Sequence, residues 1–425
     1  MARRPGPLPG VRPPVLTTTA AVTATATATA TCFRRRRPPP VTAARTRAPT
    51  DPRFRTPSRI RSGFRARSRS RAHTHFRPRH HSRPIFRAGP AGASVMSMTM
   101  RLLVLGGTSF VGRAIVEDAL RTGAEVTLFG RGRTNPDLFP GLPRLVGDRD
   151  TGDYTALSEG SWDAVVDVSG YVPRHVGQAM DALGDRVGRY LFISSHAVYE
   201  RTGVAPGSDE DTPRRPPVRD TEELSEATYG PLKVACEDDV TARYGPRATI
   251  VRPGKVAGPH DSMDTFTYWV RRAARGGRVA LPGDPAQPVQ VVDSRDLARL
   301  VVRLLTDDRP GVFHAVGPAE PTTLGGLIET CARVAGTKIE LVPVPPEGAP
   351  PMFPLVRANW ATQQRRAARA RQAGMPATPL EVTAADVLAW DRARGEPPLR
   401  LGYTPEEEQA ALAAPPSTPP APPTT

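Results

Sequence analysis

The sequence predicts an α/β fold, a doubly wound parallel sheet with a smaller, interleaved C-terminal region. Short apolar runs alternate with helical stretches from about residue 100 onward. A glycine-rich turn, from Gly106 to Gly112, lies between the first run and the first helix. Strands that are apolar on both faces are typical of a parallel sheet covered by helices on both sides. This is the Rossmann-type arrangement.

The apolar periodicity orders the predicted elements along the chain. Strands are predicted at 101–105, 125–129, 144–146, 163–168, 190–194 and 248–251, with helices at 113–121, 174–183 and 225–243. Further helices are predicted at 266–275, 294–305, 324–335 and 383–394, with strands at 312–316 and 339–344. We assign 100–305 to the Rossmann domain and 306–412 to the smaller region. Residues 345–380 show no periodicity that assigns them to a helix or a strand.

The first 99 residues differ sharply in composition from the rest. They contain 21 arginines, no lysine and one acid, Asp51, whereas the whole chain has a net charge of +16. The remainder is therefore slightly acidic, and the basic pI belongs to this segment. Its few large apolar residues predict disorder. The tail from 413 to 425, which is rich in Pro and Thr, is also expected to be disordered.

Three interpretations of the N-terminal segment remain open. Arg-rich, acid-poor segments are typical of organellar targeting, and Arg3-Arg4 is similar to an export signal, but no apolar core follows. Phenylalanines interleaved with arginine could bind RNA by stacking and phosphate neutralisation. Alternatively, the reading frame is extended upstream and translation starts at Met96, Met98 or Met100.

Other classes of protein are not indicated. The three cysteines, Cys32, Cys236 and Cys331, have no paired spacing, so neither a disulfide framework nor a metal site is expected. Four of the eight histidines fall in the basic segment. No run of 18 apolar residues predicts a membrane span, and we expect a cytoplasmic protein of open oligomeric state.

The turn from Gly106 to Gly112 is a candidate dinucleotide-binding motif. Gly106 permits a sharp turn, and Gly112 lets the helix pack closely on the strand. Backbone N–H groups at the helix start should face a pyrophosphate, and the residues concerned are Thr108, Ser109, Phe110 and Val111. Ser109 stands where the motif usually has Gly, and its hydroxyl could donate to a phosphate. The alternative is a tight turn without a ligand.

The residues after the second strand bear on the choice of dinucleotide. An acid there binds the ribose 2′-hydroxyl of NAD, whereas an arginine suits the 2′-phosphate of NADP. Here Gly130 is followed by Arg131 and Arg133 with no acid. The sequence therefore predicts NADP, with NAD as the alternative, unless both arginines are solvated loop charges. Asp148 should meet the adenine, and Ser169 should line the cofactor.

Tyr229 and Lys233 are four residues apart, which places them on one face of a helix. Pro231 fits only in a first helical turn, so Tyr229 should lie at the helix start. A nearby ammonium, with a cationic nicotinamide, lowers the pKa of a phenol. Tyr229 could then move a proton while the cofactor moves a hydride. The alternative is that both side chains are solvated and have no catalytic role.

These motifs together resemble the extended (atypical) short-chain dehydrogenase/reductases of the NAD-dependent epimerase/dehydratase superfamily, whose members often use nucleotide sugars. The resemblance covers roughly residues 100 to 335 and includes the glycine turn, Ser194-Ser195 with Val198-Tyr199, and the Tyr-x-x-x-Lys helix. It implies Ser195 as the catalytic serine, Tyr229 as the base and Lys233 as the ribose-binding partner. Dehydratases carry an acid pair after the serine, and His196 and Ala197 stand there instead. Dehydration is therefore not expected.

The variant glycine turn is also similar to a branch that includes bacterial reductase-like proteins and chloroplast RNA-binding relatives. This leaves two function classes, because a fold does not decide function. The first is an NAD(P)-dependent oxidoreductase or epimerase for a small molecule. The second is a non-catalytic NAD(P)-binding or RNA-binding protein. The presence of Ser195, Tyr229 and Lys233 favours the first class, an enzyme.

Substrate contacts are expected from the segment after the sixth strand. A mixed cationic and aromatic wall is predicted there, formed by Lys255, His260, Tyr268, Trp269 and Arg272. The alternative is that the two aromatic residues belong to the core and Arg272 is solvated. The sequence does not identify the substrate.

Overall fold

The computed structural model describes residues 99–318 and 320–414. The predictions for residues 1–98 and for the tail beyond residue 414 lie outside these ranges. So do two of the three alternative start positions, Met96 and Met98.

The described chain alternates strands and helices from its start. The strands are β1 (Arg101–Leu105), β2 (Glu125–Gly130), β3 (Arg144–Val146), β4 (Trp162–Asp167), β5 (Val187–Ile193), β6 (Ala248–Pro253), β7 (Lys255–Ala257), β8 (Gly277–Leu281), β9 (Pro288–Val289), β10 (Val291–Asp293), β11 (Gly311–Ala315), β12 (Thr322–Thr323) and β13 (Ile339–Pro343). The helices are α1 (Phe110–Arg121), α2 (Pro173–Leu183), α3 (Tyr229–Tyr244), α4 (Thr265–Ala274), α5 (Ser294–Thr306), α6 (Leu324–Ala335), α7 (Ala368–Gln372), α8 (Leu380–Ala393) and α9 (Pro405–Ala413).

Seven strands form one parallel sheet in the order β11-β6-β5-β4-β1-β2-β3. The chain runs outward from β1 through β2 to β3, then returns to β4 on the other side of β1. The order therefore reverses between β1 and β4, where doubly wound sheets bind ligands beyond the carboxyl ends of the strands. The predicted Rossmann-type α/β fold is confirmed.

The sheet is buried on both faces, as β1 shows most clearly. Leu102 and Val104 belong to a core formed with α1 and α5 on one face. Leu103 and Leu105 belong to a second core, formed with α2 and α3 on the other face. Successive side chains of a strand point to opposite faces. Because both faces are covered, the strand is apolar throughout rather than alternating.

A third core holds the smaller region together. It is formed by residues of α4, α6 and α8 and of the parallel pair β8 and β13. The chain enters it at α4, returns to the sheet with α5 and β11, and enters it again at α6. A single boundary between residues 305 and 306 therefore does not describe the fold, since α4 and β8 precede it and β11 follows it.

Several elements differ from the sequence prediction. Helix α3 begins at Tyr229, as the position of Pro231 predicts, and four residues later than the apolar periodicity indicates. Helix α9 is not predicted, although Thr404 and Glu407 form a capping box that the sequence carries. The segment 345–380 contains the short helix α7 and a 3-10 turn at Trp360–Gln363. No described helix has the length and apolar composition that a membrane crossing needs.

Candidate functional site

A cleft of about 560 Å³ lies at the carboxyl edge of the parallel sheet. Its lining comes from the segments that follow β1, β2, β3, β4, β5 and β6, together with the start of α3. The cleft therefore spans the point where the strand order reverses. All the predicted cofactor-binding and catalytic side chains except Gly112, which lies beneath the turn, line it.

The glycine turn is built without room for side chains. Gly106 has a φ of +94°, and a Cβ there would lie 2.9 Å from the Cβ of Ser169. A Cβ on Gly112 would lie 2.0 Å from the carbonyl oxygen of Gly106. The first turn of α1 thus touches the end of β1, as the sequence predicted. This close approach brings the amino end of α1 to the cleft, where its dipole favours an anion.

Ser109 is the N-cap residue of α1 and is exposed in the cleft. Its side chain makes no capping hydrogen bond, so the hydroxyl is free to donate to a bound group. Thr108 is held in place through its carbonyl, which accepts from Nδ2 of Asn135 at 2.8 Å. Phe110 has a φ of +30°, a conformation that costs a non-glycine residue free energy and that often marks functional sites.

The far end of the cleft carries both basic and acidic side chains. Arg131 and Arg133 follow β2 and line it, as do Asp148 and Asp150 after β3. Nη1 of Arg131 lies 3.3 Å from a carboxylate oxygen of Asp150. The sequence analysis assigns Asp148 to the adenine but argues the choice of dinucleotide only from the residues after β2, and it does not identify Asp150.

A buried ion pair that the sequence analysis missed lies under the cleft. Asp167 ends β4, is fully buried, and accepts hydrogen bonds from Arg149 at 2.8 Å and from the hydroxyl of Tyr190 at 2.7 Å. The backbone N–H of Ser169 also donates to it at 3.2 Å. Asp167 thereby fixes the turn after β4 that lines the cofactor half of the cleft. An acid ending an apolar strand was the available signal.

Ser195 follows β5 and caps a 3-10 turn, where its Oγ accepts from the backbone N–H of Ala197 at 3.1 Å. The preceding Ser194 is buried and donates to Glu237 at 2.5 Å. The hydroxyl of Ser194 is thus committed to the protein interior. Ser195 is the hydroxyl that can still serve a bound molecule.

Tyr229 and Lys233 both lie on the face of α3 that borders the cleft. Nζ of Lys233 is buried and donates to the carbonyl oxygens of Gly170 at 2.7 Å and Ile193 at 2.8 Å. Burial lowers the pKa of Lys233 to about 8. Burial raises the pKa of Tyr229 to about 12, with the Ser195 hydroxyl acting in the opposite direction. Lys233 is not among the groups that shift the pKa of Tyr229, and the expected lowering of that pKa by Lys233 together with a nicotinamide cation stays a prediction.

Tyr171 is a second phenol in the cleft that the sequence analysis did not identify. It follows Gly170, is 44% exposed, and its ring centroid lies 5.4 Å from Nζ of Lys233. Its proximity to Tyr229 also contributes to raising the pKa of that phenol. An exposed aromatic ring at this place offers a flat surface beside the catalytic candidates.

Of the five residues of the predicted substrate wall, the structure brings Lys255 to the cleft and places the other four elsewhere. Lys255 in β7 lines the cleft. Tyr268 and Trp269 are buried in the core of the smaller region, and Arg272 pairs with Glu408 at 2.5 Å. These three residues face α6, α8 and α9 because helix α4 turns its apolar side to that core. His260 contacts Arg113 and the ring of Trp390 and is not part of the lining.

Two arginines from the unassigned segment lie near Lys255 instead. The positive charge of Arg357 acts with burial to lower the pKa of Lys255, and Arg365, Lys255 and Arg357 act with burial to lower the pKa of His196 to about 3. Among the described residues, none of the three cations has a carboxylate within 4.0 Å. Nε of Arg365 is buried without a hydrogen-bond partner there. The segment has no periodicity that could have predicted this cluster.

The segment that carries these arginines is held by two glutamine side chains. Gln287 accepts from the backbone N–H of Arg357 at 2.7 Å, and Gln290 accepts from that of Arg365 at 3.0 Å. Because β10, which follows Gln290, pairs with β7, the segment is fixed relative to Lys255. The cleft therefore has a cofactor half at the glycine turn and a second half at β7, where Lys255 and Asp261 belong to the lining and Arg357 and Arg365 lie outside it.

The chain fits a nicotinamide dinucleotide in the first half. The contact of Gly112 with Gly106, the uncommitted hydroxyl of Ser109 and the dipole of α1 suit a pyrophosphate. The described residues contain no cluster of three or more His, Cys, Asp or Glu side chains able to hold a metal ion.

Relatives with known names are similar to this chain over part of its length. A chloroplast stem-loop binding protein of 41 kDa from Arabidopsis thaliana is 25% identical over 266 residues, which cover 58% of this chain and 67% of that protein. A dTDP-4-dehydro-6-deoxy-D-allose reductase from a Streptomyces species is 28% identical over 173 residues, or 39% of this chain. The chain spans about half the length of that reductase, 52%.

Solved structures share the fold. RMD from Pseudomonas aeruginosa, complexed with NADPH, matches with a TM-score of 0.51 and 21% identity over 70% of this chain and 99% of its own. A UDP-glucose 4-epimerase from Thermotoga maritima, with UDP-glucose, matches with a TM-score of 0.54 and 17% identity over 69% and 99%. The family model for the NAD dependent epimerase/dehydratase family matches residues 102–315, half of the chain. The chain belongs to the NAD dependent epimerase/dehydratase family.

Proposed function

We propose that this protein is an NAD(P)-dependent oxidoreductase that reduces a carbonyl group of a small anionic molecule, such as a nucleotide sugar. The observation that carries the proposal is that Ser195, Tyr229 and Lys233 line the same cleft as the glycine turn. A nicotinamide dinucleotide would supply the hydride. The chain's own residues would bind the substrate oxygen, deliver the proton and hold the components in place.

The protonation of Tyr229 favours reduction. With a pKa of about 12, the phenol is protonated at neutral pH and can donate its proton to a carbonyl oxygen that is gaining a hydride. Ser195 would donate a hydrogen bond to the same oxygen. Lys233, bound to two backbone carbonyls, keeps α3 and the ends of β4 and β5 in register. The result is an alcohol, with one hydride and one proton added.

Positive charge at the β7 end of the cleft supports an anionic substrate. Lys255 lines the cleft, and the charge of Arg357, which lies outside the lining, adds to it while Asp261 acts against it. Burying such cations with no carboxylate within 4.0 Å costs free energy that an anion would recover. A diphosphate matches this charge. The named reductase among the relatives acts on a dTDP-linked keto sugar, which is such a molecule.

Fluorescence titration of the full-length protein with NADPH and NADH, followed by assays of NADPH oxidation with dTDP- and UDP-linked keto sugars, tests the proposal. Binding of dTDP is also measured by calorimetry. Lys255→Ala and Arg357→Ala should each weaken dTDP by about 10-fold or more, the usual value of a charge-assisted hydrogen bond. Arg278→Ala, an exposed change on β8, should leave it unchanged. If all three variants weakened dTDP binding equally, the assignment of the β7 end of the cleft to an anionic substrate would be contradicted.

A second function is favoured by the relative named as a chloroplast stem-loop binding protein. In that case the full-length protein would retain a structured RNA and oxidise no NADPH with any keto sugar. Gel-shift titration with a stem-loop RNA, in parallel with the oxidation assay, distinguishes the two functions.

A further inference from the structure

The adenosine end of the cleft carries both arginine and aspartate side chains. Arg131 and Arg133 follow β2, while Asp148 and Asp150 follow the neighbouring strand β3. Two further arginines of the lining, Arg144 and Arg149, belong to β3 and to the turn after it. A ribose 2′-phosphate would add negative charge, so the acids bear on its binding as well as the arginines.

Asp150 is held in a tight turn rather than on a long loop. Its backbone N–H donates to Asp148 Oδ1 at 3.1 Å, and Asp148 and Asp153 exchange two backbone hydrogen bonds, at 3.0 and 2.9 Å. The carboxylate of Asp150 is thereby kept at the cleft, 3.3 Å from Nη1 of Arg131. Both side chains are exposed, at 66% and 49% respectively.

The other neighbour of Asp150 does not neutralise it. Nε2 of His175 lies 3.7 Å from its carboxylate. Burial and the charges of Arg174 and Arg149 lower the pKa of His175, so the imidazole is neutral at pH 7. Among the described residues, Arg131 is the arginine within 4.0 Å of the Asp150 carboxylate, and Arg174 acts on it from a greater distance.

We propose that Asp150 is a specificity residue for the cofactor: by pairing with Arg131 it weakens binding of a 2′-phosphate, so that the cleft accepts NADH as well as NADPH. This inference rests on the proposed dinucleotide site. A 2′-phosphate must displace the carboxylate from Arg131 and is repelled by it. A 2′-hydroxyl can instead donate a hydrogen bond to the same carboxylate. An exposed ion pair contributes little free energy by itself. Displacing the Asp150 carboxylate from Arg131 therefore costs little, and we expect NADPH to bind more weakly rather than not at all.

Fluorescence titration of the full-length protein with NADPH and NADH tests this role. Asp150→Asn should tighten NADPH roughly tenfold, since one negative charge beside the phosphate is removed, while NADH stays unchanged or weakens. The gain should shrink in 0.5 M NaCl because salt screens exposed charges. Arg131→Ala should weaken NADPH, and Asp150→Asn should give a smaller gain in the Arg131→Ala background, where only the direct repulsion is relieved.

The matched control is Asp185→Asn. Asp185 is exposed and pairs with Arg243 at 3.4 Å, outside the cleft, and its loss should change neither dinucleotide. If Asp150→Asn leaves the ratio of the two dissociation constants unchanged, the specificity role is overturned while the proposed function stands. If the wild-type protein binds neither dinucleotide, the proposed function is overturned together with this inference.

Discussion

Nζ of Lys233 lies 2.7 Å from the carbonyl oxygen of Gly170. This bond joins α3 to the turn after β4, and a second bond, to Ile193, joins it to the end of β5. Lys233 therefore connects α3 to two neighbouring strand ends beneath the cleft. Its ammonium stabilises the structure of the site and is also close enough to the cleft to contact a bound molecule.

The pH dependence of stability should reveal this buried ammonium. The pKa of Lys233 is about 8 in the folded protein, against 10.5 ordinarily. Between these values the unfolded chain binds the extra proton, so the free energy of unfolding should rise with pH, by up to roughly 3 kcal/mol. Lys233→Met should lack this rise in urea unfolding at pH 7, 8, 9 and 10. Lys338→Met should keep it, and parallel curves for wild type and Lys233→Met would contradict the assignment.

Removing the Tyr229 hydroxyl should affect turnover alone. Tyr229→Phe keeps the ring, so the melting temperature and dinucleotide affinity should barely change, while turnover with the best keto sugar falls by about 10²–10⁴-fold. Tyr244→Phe is the control, because that hydroxyl lies on the same helix and is buried without a partner among the described residues. Normal turnover by Tyr229→Phe would exclude it as the proton donor.

Gly112→Ala should damage the fold at the glycine turn. Its Cβ would lie 2.0 Å from the Gly106 carbonyl oxygen, so α1 must move away from β1 at a cost of about 3 kcal/mol. Gly177→Ala in α2 meets no atom within 4 Å and should stabilise the helix by about 0.5–1 kcal/mol. Thermal unfolding of both variants measures the contrast. A melting temperature of Gly112→Ala equal to that of wild type would show that the turn tolerates a side chain.

Acid should destabilise the protein through His314. Burial lowers the pKa of this residue to about 4 from 6.5, so the unfolded chain takes up a proton first as pH falls. The free energy of unfolding should therefore drop between pH 6.5 and 4, by up to roughly 3 kcal/mol for this group. His314→Gln should give a shallower drop in urea unfolding at pH 7, 6 and 5. An identical slope would mean that other groups carry the acid sensitivity.

The sequence predicted the sheet well and the substrate half poorly, for physical reasons. Strand β1 and the glycine turn are defined by local rules, an apolar run and positions where a Cβ cannot fit. Tyr268 and Trp269 were assigned to a substrate wall because position after a strand does not reveal which side of a helix faces the core. Arg357 and Arg365 could not be found at all, since two glutamines distant in sequence hold their segment in place.

Asp150 illustrates a further limit. A ribose-binding acid is expected directly after β2, whereas Asp150 reaches the cleft from the neighbouring strand β3. Pairing of β2 with β3, a long-range contact, decides which charges meet. The Asp167–Arg149 ion pair likewise joins the ends of two strands.

The late position of β11 in the chain has a consequence for biosynthesis. This strand forms the edge of the sheet beside β6, and Ala370 and Ala373 of α7 join the same core still later. A nascent chain that has emerged only to residue 305 therefore exposes the unpaired edge of β6. That edge is a site for aggregation until the chain has emerged to Ala315, where β11 ends. The core on this face is complete only when α7 has also left the ribosome.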